Sequence, residues 1–311
     1  MVTVSVVIPT FGRPNKLKSA LTGLCEQTYK DFEVVIVDSG DRSRTETVVE
    51  EVRHMECELR IQHIQQPPSG PASARNFGVK RSEGEYIAFL DDDDYWHPTK
   101  LKRQVKMFQS ASPNCGMVYT GSHLRDADGT RIYTRLPSSR DGHLDSLLVR
   151  NGIGTPSLVM IRRDVFDSVC GFDTELQMCE DWDLYIRIAK EHQIVAVDSV
   201  LATKTIEQDG LLQNTDTHFK YREQVIQKHK NELIERGLLS KAQLALHKDM
   251  AKQHCLKGEM IKARQRCLQS LNNQLTVDGV LLYLLTFTSA SWFQTIGRLT
   301  SLPSYIIDQI R

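Results

Sequence analysis

The chain has 311 residues, of which 40% are hydrophobic and 25% are charged, a composition typical of a soluble globular protein with one large or two modest domains. Its 39 basic and 39 acidic side chains give a net charge of zero, which argues against nucleic acid as the main partner. Seven cysteines without C-x-x-C spacing indicate neither a disulfide framework nor a zinc site, so we expect reduced thiols and a cytoplasmic protein. The N-terminus carries no secretion signature.

The first 120 residues alternate short apolar runs with amphipathic segments. Strand and helix alternating at this spacing predict a parallel, doubly wound sheet with helices on both faces. Ligands of such a sheet bind at the carboxyl ends of its strands. The predicted strands are 4–8, 32–37, 59–64 and 86–90, and the predicted helices are 14–27, 43–53 and 71–82.

The pattern changes after Cys115, where a D-G turn predicts a β-hairpin. Short strands and helices follow, and the last hundred residues are helical in pattern. The predicted elements are the hairpin strands 117–125 and 130–134, helix 144–150, strand 157–161, helix 163–169, helix 180–191, strand 194–197, and helices 217–236, 241–256, 258–273 and 277–290.

Four consecutive carboxylates, 91–94, follow the predicted strand 86–90. Carboxylates in a row repel one another, and a divalent cation offsets this crowding. Mg²⁺ in particular is usually held by one or two carboxylates together with substrate phosphates. The alternative is a solvated acidic turn, and we favour a metal site for a phosphorylated substrate.

Four other positions have a functional and a structural interpretation each. Asp38 lies where a nucleotide would bind, but a strand-end aspartate is also a common helix cap. Phe11 can stack on a base or pack, and Arg75 can bind phosphate or be an exposed helix arginine. The acids of Glu180-Asp181 suit a general base at a rim as well as the dipole of a helix N-terminus.

Five segments together resemble glycosyltransferase family 2. They are VVIPTFGRP (6–14), VVIVDSG (34–40), GPASARNFG (70–78), YIAFLDDDDYW (86–96) and GFDTELQMCEDWDL (171–184). The resemblance implies an α/β fold of the GT-A type, that is, a Rossmann-like, mostly parallel central sheet with helices on both faces, plus an all-helical C-terminal extension. We expect a catalytic domain over 1–215, with a nucleotide-binding half (1–114) and an acceptor half (115–215), and the extension over 216–311.

The resemblance also implies a role for each matching position. Asp181 would be the catalytic base, Asp93 the direct metal ligand and Asp91 the ribose contact. Gly12, where many members carry Asn, and Asp92, commonly a small residue, depart from the pattern. The expected donor-site residues are Pro9, Thr10, Phe11, Arg13, Asp38, Arg75, Asp91 and Asp92, with Glu180 and Trp182 on the acceptor side.

The function implied is inverting transfer of a sugar from a nucleotide sugar, with a UDP-sugar favoured, to an acceptor hydroxyl, with Mg²⁺ or Mn²⁺ as cofactor. A base takes the proton of the attacking hydroxyl and the metal stabilises the leaving diphosphate. We expect the metal and nearby cations to keep the pKa of Asp181 low. The alternatives are a non-catalytic nucleotide-sugar or glycan-binding module and, with less support, a metal-dependent phosphatase.

The C-terminal extension is basic, with nine Lys/Arg against four acids in residues 240–311. An apolar, aromatic stretch at 277–296 follows the basic residues 257–266. This pattern fits contact with an anionic membrane surface through 257–296, and it equally fits helices packed within the protein. A glycan or a lipid-linked acceptor, on the cytoplasmic face of a membrane, would suit the first alternative.

Overall fold

The computed structural model describes residues 2–55, 57–126, 128–206 and 215–273, together with 280, 283, 284 and 286. The chain divides into two compact units. The first comprises Met1–Leu147 and Gly152–Thr205, and the second comprises Leu148–Asn151 and Ile206–Arg311.

The first unit is built on a nine-stranded sheet. Its order is β3-β2-β1-β4-β8-β6-β9-β5, with β7 pairing on β6. The strands are β1 (Val4–Thr10), β2 (Phe32–Asp38), β3 (Arg60–Gln65), β4 (Tyr86–Phe89), β5 (Asp94–Trp96), β6 (Cys115–Asp126), β7 (Arg131–Arg135), β8 (Val159–Arg162) and β9 (Gln193–Ile206).

The strands β3, β2, β1 and β4 are all parallel, as the alternating pattern predicts. All seven residues of β2 are buried, and so are six of the seven in β1. Strands that are apolar on both faces need cover on both sides of the sheet. The helices that provide this cover are α1 (Pro14–Cys25), α2 (Arg42–Arg53), α3 (Gly70–Lys80), α4 (Lys100–Ser110), α5 (Leu144–Val149), α6 (Arg163–Ser168) and α7 (Glu180–Glu191).

The helices lie on both faces of the sheet. Residues of α1, α2 and α4 pack with the even-numbered residues of β1 and β2 in one apolar core. The odd-numbered Val7 and Val37 face α3 instead. A Cβ added at Gly78 of α3 would lie 2.4 Å from Val7 Cγ1 and 3.0 Å from Val37 Cγ2. Gly78 therefore allows α3 to approach the sheet closely, which fixes the N-terminal turn of this helix at the edge where β1 and β2 end.

Several elements differ from the sequence prediction. β9 is 14 residues long rather than four, and it gives the unexpected strand β5 its partner, with Asp94 opposite Lys204 and Trp96 opposite Ala202. Residues 157 and 158, predicted as strand, lie in a 3₁₀ turn, Pro156–Leu158. The helix α4 was not predicted, although Leu101, Val105 and Phe108 bury one face at helical spacing.

Cys25, at the end of α1, and Cys57 form a disulfide. The prediction that the cysteines are all reduced is wrong for this pair. The two residues are 32 positions apart, so neither spacing nor composition pointed to their pairing. The free cysteines are Cys115, Cys170, Cys179, Cys255 and Cys267.

The second unit is helical in its described part, as predicted. Its helices are α8 (Thr215–Lys228), α9 (Lys230–Glu235), α10 (Leu239–Leu256) and α11 (Met260–Asn273). α10 and α11 form an antiparallel pair that turns at Gly258, whose φ is +75°. The small side chains Ala251, Cys255, Ala263 and Cys267 form the core of this pair.

The structure bears on the membrane prediction in one respect. Among the described residues, no helix is long and apolar enough to cross a membrane. Most of the predicted helix 277–290, and most of the apolar stretch 277–296, lie outside the described residues. Membrane-surface contact through 257–296 therefore stays a prediction.

A buried lysine lies under the sheet in the first unit. Lys100 is fully buried, its Nζ donates to Gln104 Oε1 at 2.7 Å and lies 3.8 Å from the centre of the Trp96 ring. Among the residues that the structure describes, no carboxylate forms an ion pair with it. Burial lowers the pKa of Lys100 well below its ordinary value, so charging this side chain costs stability.

We expect Lys100→Met to raise the free energy of unfolding at pH 7 by about 1–3 kcal/mol, because it replaces a buried ionisable group by an apolar one. Because its pKa is lowered in the folded chain, Lys100 binds fewer protons there than in the unfolded chain, and the parent protein becomes more stable as pH rises. The stability difference between Lys100→Met and the parent should therefore shrink near pH 10. Urea unfolding at both pH values measures this. Lys102→Met, on the exposed face of α4, is the control, and destabilisation by Lys100→Met would contradict the assignment.

Candidate active site

The carboxyl ends of β1, β2 and β4 meet at one edge of the sheet. The loops after β1 and β2 touch there, since a Cβ added at Gly40 would lie 2.6 Å from the backbone nitrogen of Gly12. Gly12 has a φ of +65°, which glycine adopts without strain. The glycine that stands at position 12, where many family members carry Asn, therefore suits the backbone conformation of this loop. Phe11, next to it, is 62% exposed, as expected of a ring that is free to stack on a ligand.

Asp38 ends β2 and is fully buried. Its Oδ1 accepts a hydrogen bond from Gly40 N at 2.7 Å, and its Oδ2 lies 3.5 Å from His63 Nε2. Neither Asp38 Oδ2 nor His63 Nε2 has a hydrogen bond in the described part of the chain. Sequence reasoning missed His63, because its place beside Asp38 depends on the register of β3 against β2.

Two of the four consecutive acids are held by Arg13, just ahead of α1. The Arg13 guanidinium forms ion pairs with Asp92 and, at 3.1 Å, with Asp93. Thr10 Oγ1 donates to Asp92 Oδ2 at 2.7 Å. Burial raises the pKa of Asp92 to about 6. Asp92 thus lies inside the protein, joined to the loop after β1, which explains how an acid replaces the small residue common at this position.

A buried arginine links the other end of the acidic run to α7. Arg75 of α3 donates to Asp91 Oδ1 at 2.7 Å and to Glu180 Oε1 at 2.8 Å. Its guanidinium also lies 5.4 Å from the centre of the Phe172 ring. Burial opposes the charge of Arg75, but Asp91 and Glu180 outweigh it and raise its pKa. The same arginine holds the pKa of Asp91 below its ordinary value against the effect of burial.

Asp94 faces the interior and was not singled out as a separate group from the sequence. Burial raises its pKa to about 7, against the opposing effect of Lys204. Lys204 stands directly opposite on β9, and its charge is favoured by Asp94, Asp91, Asp93 and Asp181, which outweigh its burial and raise its pKa. The positive charge of Lys204 is therefore favoured by acids from the end of β4 and from the start of α7.

Asp181 lies in the first turn of α7, beside Glu180. Burial, followed by the charge of Glu180, raises the pKa of Asp181 to about 7. Desolvation outweighs the cations Arg75 and Lys204 here, and the low pKa expected for Asp181 beside a bound metal ion stays a prediction. The pKa of Tyr185, one turn further along, is raised by burial and by Asp181, and its hydroxyl is buried without a hydrogen bond to any described residue.

Trp182 does not face an acceptor surface. The side chain is 2% exposed, and its indole Nε1 donates to the carbonyl of Leu147 at 2.6 Å. The acceptor-side role expected for Trp182 does not fit this burial, since an indole with an internal hydrogen bond packs in the core. Glu180, expected on the same side, is held by Arg75.

Two further contacts fix α7 in place. Asp183 is paired with Arg187 at 2.8 Å, and Arg187 also donates to the carbonyls of Val169 and Gly171. Asn76 of α3 makes two hydrogen bonds with the backbone of Phe172, one from its Nδ2 at 2.8 Å and one to its Oδ1 at 2.9 Å. The helix that carries Asp181 is thereby tied to α3.

The acids at the end of β4 fit a divalent ion that arrives with its substrate. Among the residues described, no group of three or more His, Cys, Asp or Glu side chains could hold a metal on its own. Asp93 is 29% exposed at its side chain, and Arg13 and Lys16 both contact its Oδ2. One accessible carboxylate is the ligand set that Mg²⁺ takes when phosphate oxygens and water complete its coordination.

Comparison with known proteins identifies the family of this chain. The model of glycosyl transferase family 2 matches residues 5–170, more than half of the chain. An uncharacterized glycosyltransferase of Haemophilus influenzae is 28% identical over 60% of this chain and 62% of its own length. The uncharacterized glycosyltransferase YwdF of Bacillus subtilis is 28% identical over 73% of this chain and 84% of its own length. The chain spans between 29% and 66% of the length of the first four curated relatives.

Solved structures share the fold at low sequence identity. The mannosyltransferase PcManGT from Pyrobaculum calidifontis, in complex with GDP-Man and Mn²⁺, is 18% identical, with a TM-score of 0.63 over 99% of this chain and 86% of its own. S. aureus TarS 1-349, in complex with UDP-GlcNAc, is 17% identical, with a TM-score of 0.57 over 91% of each chain. The predicted fold class, a GT-A sheet with C-terminal helices, is confirmed.

The Arg75 bridge gives a stability prediction. Arg75→Met leaves Asp91 and Glu180 buried without their shared cation, and we expect it to lower the free energy of unfolding by about 3–5 kcal/mol. Adding Glu180→Gln removes one of the stranded charges and should recover part of this loss. Urea unfolding measures both variants, with Arg53→Met, in an exposed ion pair with Glu50, as the control. A loss of less than about 1 kcal/mol in Arg75→Met would contradict the structural role.

Proposed function

Because the chain belongs to glycosyltransferase family 2, we propose that it moves a sugar from a nucleotide-sugar donor to an acceptor hydroxyl, with inversion at the anomeric carbon. The observation that carries this proposal is the Arg75 bridge. It joins Asp91, at the strand end expected to bind the donor, to Glu180, beside the expected base Asp181. Donor acids and base thus share one edge of the sheet, which transfer between two bound substrates requires.

Asp181 is proposed as the general base. Inversion requires a group that accepts the proton of the acceptor hydroxyl while its oxygen attacks the anomeric carbon. A pKa of about 7 suits this task, since a base that titrates near the working pH accepts a proton readily and is still about half ionised. Glu180 acts as a positioning residue, because Arg75 holds its carboxylate and with it the first turn of α7.

Asp93, with Asp91 near it, would hold Mg²⁺ or Mn²⁺. The complex of PcManGT with Mn²⁺ supports this by analogy. When bound, the ion would stabilise negative charge on the departing nucleoside diphosphate. Arg13 and Lys16 contact Asp93 in the ligand-free chain, so they would balance the acidic run until the donor binds and then lie near its phosphates.

The donor is proposed to be a UDP-sugar. The structural neighbours include complexes with UDP-GlcNAc and with GDP-Man, so structural similarity does not decide between uracil and guanine as the base of the donor. Asp38 favours uracil, because Gly40 N occupies its Oδ1 and leaves Oδ2, which matches a single ring N–H. Guanine offers two adjacent donors and would need both oxygens. Since Asp38 is buried, base binding would require His63 or the loop of Pro9, Thr10 and Phe11 to move.

The acceptor is proposed to be a glycan or a lipid-linked glycan, and the transferred group a hexose, in glycan, polysaccharide or glycolipid biosynthesis. One relative carries the name putative teichuronic acid biosynthesis glycosyltransferase TuaG of Bacillus subtilis, 28% identical over 52% of this chain. A cytoplasmic location, peripheral at the membrane face through residues 257–296, belongs to the same proposal.

Hydrolysis of nucleotide sugars in the absence of acceptor tests the function directly. We expect the purified protein to release nucleoside diphosphate slowly from one sugar donor, in the presence of Mn²⁺ or Mg²⁺. Donor binding without any release, in every combination of sugar and metal, would instead favour a non-catalytic nucleotide-sugar-binding module.

The metal assignment predicts that Asp93→Ala abolishes turnover and removes the metal dependence of nucleoside diphosphate binding. The reason is that the accessible carboxylate of the acidic run is lost. Calorimetric titration of UDP with and without Mn²⁺ measures the second effect. Glu51→Ala, which changes an exposed acid of α2, is the control. Normal turnover by Asp93→Ala in the presence of a chelator would refute the assignment.

The base assignment predicts that Asp181→Asn binds donor as the parent does but loses about 10²–10⁴-fold in rate, since an amide cannot accept the proton. In the parent, kcat/KM should fall as pH drops below about 7, because a raised pKa means that the carboxyl is protonated there, and this limb should vanish in Asp181→Asn. Single-turnover rates across pH measure both. A parallel loss of donor affinity would mark Asp181 as a binding residue.

A further inference from the structure

The hairpin of β6 and β7 rises from the same edge of the sheet as the candidate active site. β8 is antiparallel to both β4 and β6, so β6 points the same way as β4. The registers place Ala88, Met160 and Val118 at one level, so β6 beyond Gly121 extends past the level of Asp91. Neighbouring strands lie about 4.8 Å apart, which places β6 about 10 Å from β4 across the sheet.

This hairpin is strongly basic. Residues 121–140 contain four arginines and two aspartates and no other Lys, Arg, Asp or Glu. One of the two aspartates stabilises the turn, since Asp126 Oδ1 accepts hydrogen bonds from Asp128 N at 3.1 Å and Thr130 N at 2.8 Å. Arg125 and Arg131 are exposed, and neither forms an ion pair with a residue in the described ranges. Within the described part of the chain, the two exposed arginines of the hairpin therefore present positive charge that no ion pair neutralises.

The two arginines stand directly opposite each other. Arg125 pairs with Arg131 across the strands, just after an irregularity in β6. His123, two residues before Arg125, bonds to Thr134 through its Nδ1 at 2.9 Å. Burial, Arg131 and Arg125 together lower the pKa of His123, so the charges of both arginines disfavour the protonated form of this imidazole. Like charges directly opposite destabilise a strand pair, and a bound anion would remove this cost.

We propose that Arg125 and Arg131 bind a phosphate group of the acceptor substrate. Two guanidinium groups on adjacent strands offer the paired donors that phosphate oxygens accept. The proposal rests on the sugar transfer proposed above and names a property of the acceptor. Arg125 lies four residues beyond the level of Asp91, about 13 Å along the strand direction. That distance separates the phosphate from the donor's own diphosphate at the end of β4, so the anion belongs to the second substrate.

An anionic membrane is the competing partner for such a surface. Membrane-surface segments combine basic residues with apolar side chains that enter the lipid. The turn of this hairpin instead carries Asp128, Gly129 and Thr130, all exposed. An acid and two residues without large apolar side chains at 128–130 favour a phosphate group of the acceptor over the lipid surface itself.

The histidine provides a local reporter that is independent of activity. We expect inorganic phosphate to raise the pKa of His123, measured by NMR of its ring, more than chloride does at equal ionic strength. The resonance is assigned with His123→Gln. In Arg125→Gln/Arg131→Gln the pKa of His123 should start higher, because two cations are gone, and should respond equally to both anions. An equal response to phosphate and chloride in the parent protein would overturn the proposal.

Kinetics place the site in the reaction. Arg125→Gln/Arg131→Gln should raise KM for a phosphate-bearing acceptor by at least about tenfold, the loss of two exposed charge-assisted contacts, while donor hydrolysis without acceptor stays unchanged. Lys102→Gln/Lys106→Gln, two exposed cations on α4, is the control for net charge. An unchanged KM for such an acceptor in the hairpin variant would refute the role.

The two remaining outcomes are also decisive. If the hairpin variant loses binding to phosphatidylglycerol vesicles while its NMR response to phosphate equals that of the parent, the surface is a membrane contact and the proposal falls. If no donor is hydrolysed by any variant, the proposed transfer function fails, and the His123 titration still decides whether the hairpin binds phosphate.

Discussion

The buried guanidinium of Arg75 is the interaction on which the arrangement of the candidate site depends. One cation neutralises two acids that come from distant parts of the chain, Asp91 and Glu180, 16 and 105 positions away. Removing an arginine from water is costly, and two carboxylates at hydrogen-bond distance repay that cost. The bridge exists only when α3, the end of β4 and the start of α7 have all assembled. The geometry of the site therefore depends on the folding of the first unit.

The remaining charges of the site follow from this arrangement. The acids around the strand ends divide between three cations: Arg13 takes Asp92 and Asp93, Arg75 takes Asp91 and Glu180, and Lys204 lies among the acids that are left. Burial raises the pKa of Asp94 and that of Asp181 to about 7. Arg75 holds the pKa of Asp91 below its ordinary value, and this difference from Asp94 and Asp181 allows neighbouring carboxylates to do different chemistry.

Much of this could be read from the sequence, and the reasons for the exceptions are physical. The parallel strands, α1 to α3, the D-G hairpin and the α10–α11 pair followed from local periodicity and turn residues. β5 could not, since it exists only because β9 supplies a partner. The roles of His63 and Lys204 were not predicted, because strand register and not the local sequence pattern places them beside Asp38 and Asp94. Trp182 was predicted on the acceptor side, but it is buried in the core, where its indole donates to a backbone carbonyl 35 positions away. The Cys25–Cys57 pair likewise depends on tertiary proximity.

The hydrogen bonds of Asn76, next to the bridging Arg75, affect how the protein unfolds. Its amide group makes two hydrogen bonds with the backbone of Phe172, and Arg75 binds Glu180, so two successive residues of α3 hold α7 and the loop that precedes it. The N-terminal strands cannot then open while the β8–α7 region stays intact, because opening would strand buried polar groups on both sides. The amide protons of β1 and those of α7 should therefore exchange with solvent through the same opening event, as one cooperative unit.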